Sequence, residues 1–583
     1  ILVPSGQRMK WLVVAGLGVA VAGAETLAAA SVALLVDTLS DPSQPAMELP
    51  IIGNPGGAFD SLSSEDRLRV LGVSIAVIFV VKALLEIART YAQARVAQNT
   101  GYRLADRLYK GYINMPYLVH TTRNSAELLR NSNISADETV LNFITPITNI
   151  IIQSILLAFL ATLLLVAAPQ TTLILIAALV PTTVIVLRMV RPALRRLGES
   201  SQTALKDSLG SAQQSLHGIR DIKAFGKEKP FMSEYAETRR RLARARYLQP
   251  PIARVPSLFI ETALVLVVVA FLALGSGSTT AIALPLLALF AYAGLRMMPA
   301  MSSITGAINR LRFGQAAADI LVGELELVEG YPPNVPDDES DTLQFEREFV
   351  LDAVKFSYPD GTPVFAHLDL RIKKGMSLGI VGPTGAGKSS LLDLILGLIE
   401  PSEGHIRCDG EDLADVRRSW QRIVGFVPQS INLRDESLKR NVAFGVAPDQ
   451  IELDRVLSSV HLAQLGEFVG TLPDGIETVV GERGVRLSGG QRQRVAIARA
   501  LYRDPQVVIL DEGTASLDTR TETEFLQALE ALRGNRTLIT VAHRISTVQN
   551  CDRIVLLDAG QIVDAGTYDE LLNRSRTFRE LAG

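Results

Sequence analysis

Gly382-Pro383-Thr384-Gly385-Ala386-Gly387-Lys388-Ser389 decides how this chain is read. It fits G-x-x-x-x-G-K-[ST], a phosphate-binding loop. Residues 376–381 before it read as a short buried strand, and residues 390–398 after it carry the apolar pattern of a helix packed on a sheet. A strand feeding a glycine-rich loop that opens a helix is the setting this motif requires. Its glycines let backbone N–H groups close around phosphate oxygens, and the helix N-terminus adds positive potential. Lys388 is placed to reach the β- and γ-phosphates of a nucleotide, and Ser389 to hold Mg²⁺. A pattern this short also arises by chance, so its weight depends on its companions.

The companions stand in order. Val507-Val508-Ile509-Leu510-Asp511-Glu512 is an apolar strand ending in two carboxylates, with Asp511 as the metal-binding acid and Glu512 as a candidate general base. Between the two motifs lies Leu487-Ser488-Gly489-Gly490-Gln491. With this signature the chain resembles the ATP-binding cassette (ABC) ATPases, from about residue 346 to its last residue. The resemblance implies ATP as the nucleotide, contacted by Gly382 through Gly387 and by Lys388, Ser389 and Ser390. It also implies roles for Tyr358 at the adenine, Gln429 of Val427-Pro428-Gln429 at the metal, Asp518 of Ser516-Leu517-Asp518, and His543 of Ala542-His543-Arg544 at the γ-phosphate. Each motif alone is weak; the ordered set is specific. One departure stands out: the family usually reads Ser-Ala-Leu-Asp, and this chain reads Ala515-Ser516-Leu517-Asp518, which bears on the fine contacts of that loop.

Composition asks for more than an ATPase. At 583 residues the chain has room for several domains, and 48% of it is hydrophobic. Its mean hydropathy is positive, unusual for a soluble protein with 20% charged residues. A formal charge of −3 argues against a nucleic-acid binder. The two cysteines, Cys408 and Cys551, both lie in the ATPase half and suggest neither a disulfide framework nor a zinc site. The first apolar run is too long for a cleavable signal peptide.

That run, residues 11–36, is long enough to cross a bilayer. Residues 37–66 follow, rich in Pro, Gly and acids, and Ser63-Ser64-Glu65-Asp66 looks like the cap of a second helix. This helix is apolar over 68–85 and continues in polar residues to about Met115. A third span covers about 140–167, a tight turn is expected at Pro169-Gln170, and a fourth runs from 173 to about 190 with a possible kink at Pro181. The fifth covers about 255–274, a Gly275-Ser276-Gly277-Ser278 turn follows, and the sixth covers about 282–301.

Charge orients these six spans. The segments after spans one, three and five contain no Lys or Arg. Those after two and four are crowded with them, including Arg89, Arg95, Arg103, Arg107 and Lys110, then Arg191, Arg195, Arg196, Lys223 and Arg239 to Arg241. By the positive-inside rule these basic segments face the cytoplasm together with the ATPase. Residues 116–135 and 216–228 interrupt the long cytoplasmic helices, at places matching the coupling helices that dock on the ATPase in ABC exporters. A proline-rich acidic linker then runs from Tyr331.

The expected architecture is a six-helix transmembrane domain of the ABC exporter type fused to an α/β P-loop nucleotide-binding domain with an antiparallel β subdomain. Its parts are residues 1–330, a linker over 331–345, and the cassette over 346–583. In this family ATP is sandwiched between the phosphate loop of one cassette and the Ser-Gly-Gly-Gln of another. One chain is therefore half a transporter, and a second identical subunit would complete two competent sites.

The cargo is written in the apolar half. Buried charges in a bilayer are costly and usually functional. Counted at 1.5 Å per residue, Glu25, Lys82, Glu261 and Arg296 all fall roughly 17–21 Å from the outer ends of their helices. Four charges on four helices at one depth suggest a shared polar layer, either bridging one another, with Lys82 also able to pair with Glu86 one turn on, or meeting a substrate. Ala24-Glu25-Thr26, residues 80–85, Val255-Pro256-Ser257-Leu258-Phe259-Ile260-Glu261 and Leu295-Arg296-Met297-Met298-Pro299-Ala300 are similar to the bacterial flippases of lipid-linked oligosaccharides that serve N-glycosylation. That resemblance implies basic cavity residues at Lys82 and Arg296, with Ser257 where a third arginine is usual and Arg254 one turn earlier. It also places a short external helix within residues 47–59. The expected function is ATP-driven flipping of an anionic, pyrophosphate-linked lipid, using ATP and Mg²⁺. The alternatives are a lipid A-type flippase, a peptide or drug exporter, and an ATP-gated channel, the last disfavoured by an intact Glu512.

Overall fold

The structure, a computed structural model, describes residues 2–40, 63–274, 280–331, 343–511, 534, 536–542 and 544–582. The expected external helix, the Gly-Ser turn at 275–278 and residues 332–342 of the linker lie outside these residues. Two compact units are present: Ile1–Met115 with Val119–Asn334, and Pro116–Leu118 with Val335–Gly583.

The first unit is helical. Its main helices are α1 (Ser5–Ser40), α2 (Ser64–Asn114), α3 (Tyr117–Thr122), α4 (Ser125–Arg130), α5 (Thr145–Ala167), α6 (Pro169–His217), α7 (Ile219–Phe225), α8 (Glu228–Leu274) and α9 (Thr280–Glu329). Ser63 caps α2 as its sequence suggests, accepting the Asp66 N–H at 3.3 Å, while Glu65 and Asp66 meet the positive end of the helix dipole. The turn expected at Pro169-Gln170 falls one residue earlier. Ala168 alone leaves helical geometry, at φ −151° and ψ 77°, and Pro169 opens α6, where a missing N–H is no loss. α6 runs as one helix through Pro181 and Pro192.

Both expected coupling regions hold short helices, α3 and α4 in the first and α7 between Gly218 and Gly226 in the second. Two π-helical stretches, Asn131–Ser135 and Val140–Ile144, lead into α5. Among the described residues, Ser5–Leu39, Glu65–Asn114 and Ser125–Ala167 are long and apolar enough to cross a membrane. The other three expected spans fall on α6, α8 and α9. α1 packs on α2, α5 and α9, and α6 packs on α8. Ala29, Ala30 and Ala33 give α1 a flat face, so Leu160, Leu163 and Leu164 of α5 and Leu289 and Ala293 of α9 approach closely.

The second unit is built on strands β1 (Glu348–Ser357), β2 (Pro363–Lys373), β3 (Ser377–Val381), β4 (Glu403–Cys408), β5 (Glu411–Asp412), β6 (Val424–Val427), β7 (Val507–Asp511), β8 (Thr537–Val541), β9 (Arg553–Asp558) and β10 (Gln561–Gly566). Four of them form an antiparallel sheet in the order β2-β1-β4-β5. On β1, Phe349, Leu351, Val354 and Phe356 point inward, and Phe349 stacks on Trp420 with ring centroids 4.5 Å apart. The other six form the sheet β10-β9-β3-β8-β7-β6, parallel except for β10 at its edge. β3 is buried along its whole length and lies between β8 and β9. Strands buried on both faces read as continuous apolar runs, which is how β3 and β7 look in the sequence. The parallel strands end on one edge, where ligands of such sheets bind.

Candidate functional site

β3 delivers the chain into the phosphate loop, and helix α10 (Lys388–Ile395) carries it away. Two glycines fix the loop's shape. A Cβ on Gly382 would stand 2.0 Å from the Leu557 carbonyl oxygen on β9, so no side chain fits there. Gly387 has φ 101°, a conformation that side chains disfavour. The amides of Thr384, Gly385 and Gly387 donate to no carbonyl among the described residues, leaving N–H groups for an anion. The Lys388 ammonium is buried inside this loop, donating to the Gly382 carbonyl at 2.7 Å and the Pro383 carbonyl at 3.0 Å.

Ser389 is exposed on the first turn of α10, whereas Ser390 turns inward. The Ser390 hydroxyl lies 3.0 Å from the Tyr358 hydroxyl, and Tyr358 packs edge-on against Phe356. The expected adenine aromatic therefore stands beside the loop. β6 pairs in parallel with β7, with Val427 opposite Leu510, so Gln429 and Asp511 leave adjacent strands at the same edge. Asp511 is also felt on α10. The Asp393 carboxyl is pushed up to about 6, first by burial and then by the negative charge of Asp511. Asp393 sits one turn beyond Ser389 and is a site residue that motif reading misses. Its mark in the sequence is a lone acid on an apolar helix face.

A hydroxyl, an amide oxygen and a carboxylate from Ser389, Gln429 and Asp511 are hard oxygen donors, a set that suits Mg²⁺. No group of three His, Cys, Asp or Glu that could hold another metal occurs among the described residues. The signature motif opens helix α11 (Gly489–Leu501). Ser488 caps it and Gln491 returns the bond, so Gly489 and Gly490 form an accessible helix N-terminus. Glu512, Asp518 and His543 lie outside the described residues.

In the helical unit, three of the four expected charges form one cluster. Glu25 on α1 is buried, with Oε2 2.6 Å from Lys82 Nζ on α2 and Oε1 2.6 Å from Arg296 Nε on α9. The Tyr292 hydroxyl donates to Oε1 at 3.0 Å. Tyr292 was not among the expected residues, although it lies one helical turn from Arg296. The pairing of Lys82 with Glu86 does not form: Glu86 takes Arg89, whose Nε donates to it at 3.0 Å. Lys82 reaches instead to the more deeply buried carboxylate on α1, which has the greater need of a counter-ion. Arg254 is exposed and makes no ion pair among the described residues, and the Glu261 side chain lies outside them.

Residues 365–515 match the family described as ABC transporter, and residues 27–299 match the ABC transporter transmembrane region. An ATP-dependent lipid A-core flippase of Ralstonia nicotianae is 30% identical over 526 residues, 88% of this chain and 86% of that protein. The chain belongs to the ABC transporter family. An ATP-dependent lipid A-core flippase of Mannheimia succiniciproducens is 28% identical over 573 residues, covering 95% of this chain and 94% of the relative. A bacterial Atm1-family ABC exporter solved with ATP bound superposes with a TM-score of 0.79 at 25% identity, over 99% of this chain and 98% of that one. This ABC transporter is thus an exporter half-transporter, and its cassette couples ATP hydrolysis to transport. Both of these relatives are named for lipid A-core, where a kinship to oligosaccharide-lipid flippases was expected. Motifs such as Ala24-Glu25-Thr26 sample a few helical turns, whereas these matches weigh nearly the whole chain.

Proposed function

We propose that two copies of this chain form an ATP-driven flippase that carries a phosphorylated glycolipid of the lipid A type from the inner to the outer leaflet of a bacterial inner membrane. The cassettes face the cytoplasm, in keeping with the basic segments after the second and fourth spans. The observation that carries the cargo reading is the cluster of Lys82 and Arg296 around Glu25 within the apolar stretches of α1, α2 and α9. A phosphate crossing a bilayer must exchange its hydration shell for fixed positive charge. The names of the relatives point to a lipid bearing such phosphates.

Each ATP binds the loop amides and Lys388 of one chain and the Ser488–Gln491 helix N-terminus of the other. Ser389, Gln429 and Asp511 would hold Mg²⁺, which would supply positive charge against the phosphates. Glu512 polarises the attacking water, His543 contacts the γ-phosphate and Tyr358 stacks on the adenine. Asp518 tunes the loop between them. A pyrophosphate-linked oligosaccharide lipid is the second reading, favoured by the same two cations, because a pyrophosphate is also matched by a paired Lys and Arg. Flipping of the two lipids by the protein in proteoliposomes decides between them. Faster ATP-dependent flipping of lipid A is expected; transport of neither lipid overturns the proposal.

A further inference from the structure

Glu25 is more than a packing partner. Both of its carboxylate oxygens are engaged, one by Lys82 and the other by Arg296 and Tyr292. The Glu25 side chain is 5% exposed and that of Lys82 13%, so this pair has left water almost completely. Two cations against one carboxylate leave one net positive charge (+2 − 1 = +1) among these described groups. Arg296 differs from Lys82. Its side chain is 40% exposed, it meets Glu25 through Nε, and its terminal nitrogens pair with no second carboxylate among the described residues, with Tyr292 as its neighbour. That edge of the guanidinium is the fork that grips phosphate oxygens.

We infer that Glu25 is the resident counter-ion of this site and sets a charge threshold for the cargo, admitting headgroups with close to two negative charges over singly charged phosphodiesters. The inference rests on the headgroup reading of Lys82 and Arg296 proposed above. The physical reason is exchange. A phosphodiester brings one charge, which only replaces the charge that Glu25 already supplies. A phosphomonoester carries about −1.5 to −2 at neutral pH and gains attraction from both cations. Tyr292 completes the device, because its neutral hydroxyl stays with the carboxylate while the cations turn to the lipid. A buried carboxylate stripped of every donor would be too costly. An ion pair serving packing alone would close off both cations, and Arg296 is left open.

The test uses the full-length protein in phosphatidylcholine nanodiscs doped with either phosphatidic acid, a monoester, or phosphatidylglycerol, a singly charged diester. The readout is the lipid fraction giving half-maximal stimulation of ATP hydrolysis. Wild type is expected to respond to phosphatidic acid at the lower fraction. Glu25→Gln should narrow the difference between the two lipids about tenfold, chiefly by gaining response to phosphatidylglycerol. If Glu25→Gln does not fold, Glu25→Asp keeps the charge but draws it back by a methylene, and must shift the ratio in the same direction. An unchanged ratio in the Glu25 variant, or no preference in wild type, overturns the threshold. A wild-type response to both lipids in Lys82→Gln with Arg296→Gln overturns the headgroup reading beneath it.

Discussion

Ser488 and Gln491 hold one another across the first turn of α11: the Gln491 N–H reaches the Ser488 hydroxyl at 3.2 Å, and the Ser488 N–H reaches Gln491 Oε1 at 2.8 Å. The signature motif is therefore a helix cap as well as the proposed nucleotide surface. Ser488→Ala should lower stability by about 1 kcal/mol and abolish most hydrolysis. Ser488→Asn keeps a capping oxygen, so its melting midpoint should stay near wild type while hydrolysis is still lost. Equal loss of stability in both variants would count against a separate nucleotide role.

Glu512→Gln should bind ATP and join the cassettes while hydrolysing at least about a hundredfold more slowly. Lys388→Ala, which removes the ammonium enclosed by the Gly382 and Pro383 carbonyls, should weaken nucleotide binding itself. Phosphate release and ATP retention by the purified protein separate the two. Wild-type turnover by Glu512→Gln would remove it from the chemistry.

Mixed dimers test the shared site. A dimer with Lys388→Ala in one chain and Ser488→Arg in the other holds one site with both lesions and one with neither. It should keep part of the hydrolysis that each mutant homodimer loses. Full activity in either homodimer contradicts the shared arrangement.

Removing the cations should strand the carboxylate. Lys82→Ala with Arg296→Ala is expected to abolish flipping and to destabilise the helical unit by about 3–5 kcal/mol, the scale for a buried charge without its partners. Adding Glu25→Gln should recover the melting midpoint without recovering flipping. Recovery of flipping in the triple variant would make the cluster structural only.

Asp393 makes stability depend on pH. Its carboxyl, raised from 3.8 to about 6, favours the neutral form in the folded chain. That contribution is fully present below the unfolded value and is lost as pH rises through about 6. Asp393→Asn should therefore stabilise the chelator-treated protein above that window, on the order of 1–2 kcal/mol, and have little effect below it. A pH-independent difference in melting midpoint between the variant and wild type contradicts this.

What the sequence made legible was local. The phosphate loop could be read because its glycines answer backbone demands that no other residue meets, as Gly382 against Leu557 and Gly387 at positive φ show. The Ser63 cap was legible for the same reason. Partners across helices were not. Glu86, one turn from Lys82, is visible at helical spacing, but the partner actually taken, Glu25, depends on how α1 packs against α2. Tyr292 and Asp393 escaped because a lone tyrosine or acid is unremarkable until its neighbours are known. The π-helical stretches before α5 have no residue signature at all. The place of Glu261 in the polar layer, and the geometry of Glu512, Asp518 and His543, lie outside the described residues.

The position of β3 between β8 and β9 has a bearing on biosynthesis. A chain emerging from the ribosome presents its phosphate loop early in the cassette, yet both strands that flank β3 follow only long after it. Until then the loop's strand is an apolar ribbon with two unsatisfied edges, and Gly382 has no Leu557 carbonyl to lean on. A nascent chain halted before residue 553 would contain every nucleotide motif and still lack one wall of the loop. The cassette should therefore mature cooperatively, and termination before β9 should yield aggregation or degradation rather than a weakened ATPase.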